Sequence, residues 1–253
     1  MENTKSVSES NDKAKLSSVG ELFRQAIEIY KIGFKKFIGL QLVSMLGFLP
    51  LALVVGIWAF IKFKMEVPGI LIYDIVFGIL SFIAAIFGIY IAVLSQIGIF
   101  LLLKDFRVER TFKEILQTGK PYVLNFITTS LLVAVICLLG FVLLAVPGII
   151  WTVVYAFASY VVVFEGLKNW QAMKRSKELV KGFWWSVALR SLVILGISIV
   201  ISIPSAILPD KSGSQTVYDI VDSIISFFIA PIFITYSYLI YKELTKIKEI
   251  KHS

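Results

Sequence analysis

Residues 70–103 read I-L-I-Y-D-I-V-F-G-I-L-S-F-I-A-A-I-F-G-I-Y-I-A-V-L-S-Q-I-G-I-F-L-L-L, and Asp74 is the only charge among them. A run of about 18 or more apolar residues is long enough to cross a bilayer as a helix. At about 1.5 Å per residue this one exceeds a hydrocarbon core of roughly 30 Å. Its start is therefore expected to project outward. Lys62 and Lys64 precede the run, and Lys104, Arg107 and Arg110 follow it. Apolar length bounded by basic residues is the pattern of a membrane span.

Five more blocks of this kind lie at 37–61, 122–145, 148–164, 184–208 and 217–241. They explain the composition, which is 58% hydrophobic and 17% charged. A soluble domain carries about 45–50% apolar and about 25% charged residues. The net charge of +8 fits a nucleic-acid binder, a membrane surface or a topology signal. Its distribution selects the membrane, because Lys and Arg cluster beside the apolar blocks. The segment through Lys36, the segments 104–121 and 165–183, and the tail from Lys242 together hold 21 of them. The three alternate loops hold only Lys62, Lys64 and Lys211. The positive-inside rule then predicts six spans with both termini in the cytoplasm of a plasma-membrane protein. The first 17 residues are polar and expected to be disordered. The first apolar block starts too late for a signal peptide.

Three basic segments precede pairs of spans. Ser18–Glu21 and Thr111–Glu114 both fit S/T-x-x-E, the capping box of a helix start. The third begins near Asn169, a good N-cap residue. Val19, Phe23, Ala26 and Tyr30 form the apolar face of the first, and Trp170, Met173, Val180 and Phe183 that of the third. Such helices lie in the headgroup plane. The spacing predicts an all-α architecture of three hairpins, each led by a cytoplasmic interfacial amphipathic helix. The repeat units are 18–104, 111–165 and 169–245 of one domain spanning 18–245, with a short cytoplasmic tail at 246–253. A-V-P-G at 145–148 is the expected turn between spans 3 and 4. Pro204 is expected to end span 5 and Pro231 to kink span 6.

Lys174, Arg175 and Lys181, followed by Trp184, Trp185 and Arg190, are the candidate contacts to an anionic lipid or a membrane interface. Arg190 would snorkel to phosphates. Glu165 and Arg190 flank the third basic helix and are expected to pair. Ionisable groups at membrane depth are functional candidates. Asp74, Asp219 and Asp222 are the outer acidic positions, read either as helix N-terminal acids or as the mouth of a cation path. Gly78, Ser81, Ala85, Gly88, Ala92 and Ser95 continue from Asp74 at spacings of four and three. They make a stripe of small residues, either a packing seam or one wall of a pore.

V-P-G-I-I-W-T-V-V-Y-A-F-A-S-Y-V-V-V-F-E-G at 146–166 and A-M-K-R-S-K-E-L-V-K-G-F-W-W at 172–185 carry a resemblance. So do A-P-I-F-I-T-Y-S-Y-L-I-Y-K-E-L at 230–244 and G-E-L-F-R-Q-A at 20–26. The chain resembles the glycerophosphoryl diester phosphodiesterase membrane-domain family and the uncharacterised YciC-like prokaryotic membrane proteins. The resemblance covers nearly the whole chain. In those phosphodiesterases a separate barrel follows and carries the catalysis, with histidines and metal-binding carboxylates. Here the sole histidine is His252, in the tail, and the activity is not carried over.

No set of His, Cys and carboxylates assembles a catalytic or metal centre, and Cys137 stands alone in an apolar block. No cofactor is expected, and nucleic acid is not an expected partner. Membrane lipids, another copy of the chain or a membrane protein are. The expected function is non-enzymatic organisation of lipids or partners at the cytoplasmic face. The alternative is a transporter or channel for a small solute or ion. Against transport, no span shows a clear unwound centre and no charge sits at the midplane.

Overall fold

The computed structural model describes residues 16–64, 71–104, 110–207 and 214–252. Lys211 and the first 15 residues of the expected disordered stretch lie outside them. No strand occurs among the described residues. The helices in chain order are α1 (Val19–Leu46), α2 (Leu49–Lys64), α3 (Leu71–Lys104), α4 (Phe112–Gly119) and α5 (Val123–Leu143). They continue as α6 (Ala145–Tyr155), α7 (Ala158–Phe164), α8 (Asn169–Val180), α9 (Trp184–Ile207) and α10 (Ser214–His252).

Six segments are long and apolar enough to cross a membrane: Val19–Phe63, Ile72–Lys104, Phe112–Leu143, Ala145–Phe164, Trp184–Ile203 and Val217–Ile250. Their outer faces stay uncovered, with Phe82 68% and Val142 74% exposed. Water would penalise so much open apolar area, whereas lipid tails do not. Helices suit that solvent because they satisfy their own backbone groups. The chain is a multi-pass membrane protein.

Contacts gather into two compact units, residues 35–127 and residues 1–34 together with 128–253. Within 35–127, α2 packs along α3, and α4 packs on α3 as well. Small residues set this approach. A Cβ on Gly88 would meet the Phe48 ring at 2.6 Å, and one on Gly47 would meet Ile91 at 2.7 Å. Gly47 and Phe48 break the first span between α1 and α2. That break turns Phe48 onto Gly88.

In the other unit, α8 packs against α6, α7 and α10, and α9 packs against α6 and α10. A Cβ on Gly140 would lie 2.7 Å from the Trp151 ring and 2.9 Å from the Gly148 Cα, so α5 and α6 approach almost backbone to backbone. The A-V-P-G turn is corrected here. Only Leu144 lies between the helices, with extended backbone at φ −164 and ψ 148, and Ala145 to Gly148 form the first turn of α6. Pro147 is tolerated there because first-turn N–H groups have no helical partner. The fifth apolar segment closes at Ile203, directly before Pro204, while helix α9 itself continues to Ile207. Helix α10 continues through Pro231, whose carbonyl accepts the Thr235 hydroxyl at 2.7 Å.

The fourth span departs most from its sequence pattern. It breaks at Ala156 and Phe157, dividing α6 from α7, although its sequence shows no clear unwound centre. The apolar face expected for α8 holds at Met173 and Val180 and is corrected at Trp170. Ala172, Met173, Ser176, Leu179 and Val180 are buried, while Trp170 is 63% exposed. A helix facing lipid would select its largest apolar side chains. This one packs on protein and buries Ala172 and Ser176 together with Met173 and Leu179.

Candidate functional site

Helix α8 sits where most candidate residues converge. Its start is unusual. Asn169 has φ 44, a left-handed conformation that Asn tolerates better than most residues. Its side chain does not cap the helix. Its Oδ1 accepts the Thr128 hydroxyl at 2.7 Å, and its N–H donates to the Thr129 oxygen at 2.9 Å. About two turns later, Ser176 enters the break in the fourth span. Its hydroxyl donates to the Val154 carbonyl at 2.8 Å and accepts the Phe157 N–H at 3.2 Å. The interrupted backbone is thus completed by a side chain from α8. Gly182, with φ 88, lies in the turn between α8 and α9.

Glu165 ends the fourth span, and its carboxylate is doubly held. Arg175 Nε donates to Oε2 at 2.8 Å, and the Tyr241 hydroxyl donates to Oε1 at 2.9 Å. Tyr241 stacks on Tyr160 at 5.8 Å and on Phe164 at 5.5 Å between ring centroids. The expected Glu165–Arg190 pair does not form, since the partner of Glu165 is Arg175. Helix α8 folds back over the end of the span and brings Arg175 within reach first.

Arg190 serves the other end of the chain. Its Nη1 donates to the Ser186 carbonyl at 2.9 Å, and its Nη2 donates to the carbonyls of Ser17 at 2.6 Å and Leu16 at 3.2 Å. The Ser17 N–H in turn donates to the Glu243 carboxylate at 3.0 Å. Leu16 is buried, so the disorder expected through residue 17 does not extend to these two. Nη1 and Nη2 of Arg190 thus both serve peptide oxygens.

The remaining candidates of the basic stretch divide cleanly. Lys174 and Lys181 are exposed, and Trp185 is 73% exposed. Trp184 is half-buried, with its indole N–H toward the Ile150 carbonyl at 3.5 Å and its ring edge-on to Trp185. Two further lysines, absent from the sequence-based candidates, are exposed beside them: Lys168 just before α8 and Lys177 within it. The spacing of Lys177 on the face opposite Ala172 and Ser176 could have found it, whereas Lys168, four residues before Ala172, carries no such signal.

Asp74 belongs to the 35–127 unit. Its Oδ1 accepts the Trp58 indole N–H at 3.0 Å and lies 3.3 Å from the Lys62 ammonium. The same ammonium sits 4.7 Å from the Trp58 ring centroid. Trp58 and Asp74 line a 230 Å³ groove with Val55, Phe77, Gly78 and Ser81. The small stripe is therefore divided. Gly78 and Ser81 face the groove, Gly88 is covered by Phe48, Ser95 is buried, and Ala85 and Ala92 are half-buried. Asp219 is exposed. Asp222 is half-buried, with its Oδ1 shielded and lacking a hydrogen-bond partner among the described residues.

No group of three or more His, Cys, Asp and Glu is placed to hold a metal among the described residues. No family model, curated protein or solved structure matches the chain.

Proposed function

We propose that this is a non-enzymatic plasma-membrane protein that organises anionic lipids or partner proteins at the cytoplasmic face, with both termini on that side. The observation that carries the reading is the division of α8. One face is buried in the protein, while Lys168, Lys174, Lys177 and Lys181 stand exposed along and beside the other, near Trp170 and Trp185. Lysines beside exposed indoles suit the headgroup layer of an anionic leaflet, where each basic residue contributes about 1 kcal/mol. The three-unit repeat of interfacial helix and two spans belongs to the same proposal. So does membership of the phosphodiesterase membrane-domain family, which rests on the quoted motifs alone.

The test is lipid retention in native mass spectra of detergent-purified protein. Wild type is compared with the triple variant Lys174→Ala, Lys177→Ala and Lys181→Ala. Arg175 is left in place because it holds Glu165. Preferential retention of phosphatidylglycerol over phosphatidylcholine, lost in the variant, is the expected result. Equal retention of both lipids by wild type would overturn the lipid reading.

The alternative, transport of a small solute or ion, draws on the Asp74 groove. Solute flux into vesicles that falls on Asp74→Asn would replace the first reading.

A further inference from the structure

The Asp74 groove holds its own clue to a ligand. Lys62 places an ammonium against a carboxylate and over an indole face at once. Those are the two contacts by which proteins recognise alkylammonium groups, one ionic and one through the ring quadrupole. Lys62 is not one of the residues that line the groove, but its ammonium already holds that position on Asp74 and Trp58 as an internal occupant. Neither member of the pair is sealed, since the side chains of Lys62 and Asp74 keep 37% and 38% of their area exposed. The pair can open at little cost, as exposed ion pairs contribute little.

An opened pair presents a carboxylate and indole on one side and an ammonium on the other. The complement of that arrangement is a zwitterion, a cation joined by a short linker to an anion. The groove's remaining walls, Val55, Phe77, Gly78 and Ser81, are mainly apolar with one hydroxyl. At 230 Å³ it is smaller than the roughly 300–1,000 Å³ of sites that enclose a drug-sized ligand. It suits a headgroup-sized fragment with a tail outside. A Cβ on Gly78 would meet nothing within 4 Å, so the wall is open there. Trp58 and Lys62 lie in the last turns of α2 and Asp74 in the first turn of α3. Trp and Lys near span ends mark the depth of the headgroups.

We infer that this groove binds a phosphate ester bearing an ammonium group, as in an ethanolamine or choline headgroup. The ammonium sits on Asp74 and Trp58, and the displaced Lys62 pairs with the phosphate. No covalent step is involved. This site is separate from the basic face of α8, and either can fail without the other.

The test measures lipid retention by native mass spectrometry in detergent, for wild type, Asp74→Asn and Ser81→Leu at the groove, each also carrying Lys174→Ala, Lys177→Ala and Lys181→Ala so that the α8 face does not retain the anionic probe. The probes are phosphatidylethanolamine and phosphatidylglycerol, which share a phosphate but not the ammonium, together with soluble phosphoethanolamine. Wild type is expected to retain the ethanolamine lipid selectively, and Asp74→Asn to lose about tenfold of that retention, the scale of one charge-assisted contact. Ser81→Leu fills the groove without touching the ion pair and should lose retention similarly, so a folding defect at Asp74 cannot decide the result alone. Melting temperature controls for both variants. If soluble phosphoethanolamine displaces the lipid at comparable concentration, the same chemistry holds with a free solute as its source. If it does not, the lipid is the source. Equal retention of the two lipids by wild type, or full retention by folded Asp74→Asn and Ser81→Leu, would overturn the inference.

Discussion

Ser176 donates its hydroxyl proton to the Val154 carbonyl at 2.8 Å, across the break in the fourth span. The same oxygen accepts the Phe157 N–H. One side chain therefore meets both a carbonyl and an amide that the helix has released. Ser176 is fully buried, so no water replaces it when it is removed. In a membrane protein an unpaired backbone group is especially unfavourable.

Replacing Ser176 with Ala leaves Val154 and Phe157 each without this partner. The expected loss is about 1–3 kcal/mol, which corresponds to a fall of roughly 2–10 °C in melting temperature for a chain of this size. Ser176→Thr keeps the hydroxyl but adds a methyl at a closely packed position, and it should recover part of the loss. Thermal unfolding in detergent gives the comparison. Wild-type melting of Ser176→Ala would show that the break is held by packing alone.

The partner of Glu165 is open to a double-mutant cycle. Glu165→Gln with Arg175→Gln should show a coupling of up to about 1 kcal/mol, since the pair is well aligned but partly solvated. Glu165→Gln with Arg190→Gln should show additivity within about 0.5 kcal/mol. Unfolding measurements on the two cycles decide between them. Coupling confined to Arg190 would reverse the assignment made from the 2.8 Å contact.

Two glycines in separate helices should respond in opposite directions. Gly140→Ala pushes a methyl toward the Gly148 backbone at 2.9 Å and the Trp151 ring at 2.7 Å. Backbone cannot yield as a flexible side chain does, and overpacking of this kind is expected to destabilise by about 1–3 kcal/mol. Gly196 lies in α9, and a Cβ added there would meet nothing within 4 Å. Gly196→Ala should stabilise by about 0.5–1 kcal/mol through helix propensity. Melting curves of the two variants on either side of wild type are the expected outcome, and matching shifts would contradict it.

The six spans were legible because hydropathy adds residue by residue and needs no knowledge of neighbours. The second block, with one charge in its whole length, could be read in isolation. The capping box was legible for a related reason, since its two side chains lie within one turn. The Glu114 carboxylate does accept the Thr111 N–H, at 3.1 Å, and the Ser18 hydroxyl oxygen accepts the Glu21 N–H at 3.3 Å. The face of α8 was legible only in part, at Met173 and Val180. An amphipathic pattern shows that one side avoids water, but not whether lipid or protein covers it. Hydrophobicity alone turns Trp170 inward, whereas packing on protein buries Ala172 and Ser176 together with Met173 and Leu179.

By itself the sequence determined an all-helical membrane chain, its six apolar segments and the clustering of its basic residues, since each follows from local composition and transfer free energy. Only the tertiary structure decided that Glu165 meets Arg175, that Arg190 holds the Leu16 and Ser17 carbonyls, and that Ser176 completes a broken span. It also brought Lys62 onto Asp74 and Trp58, two residues that line one groove. These are choices among partners of similar chemistry, and they are settled by distance and direction across helices, which one-dimensional periodicity does not contain.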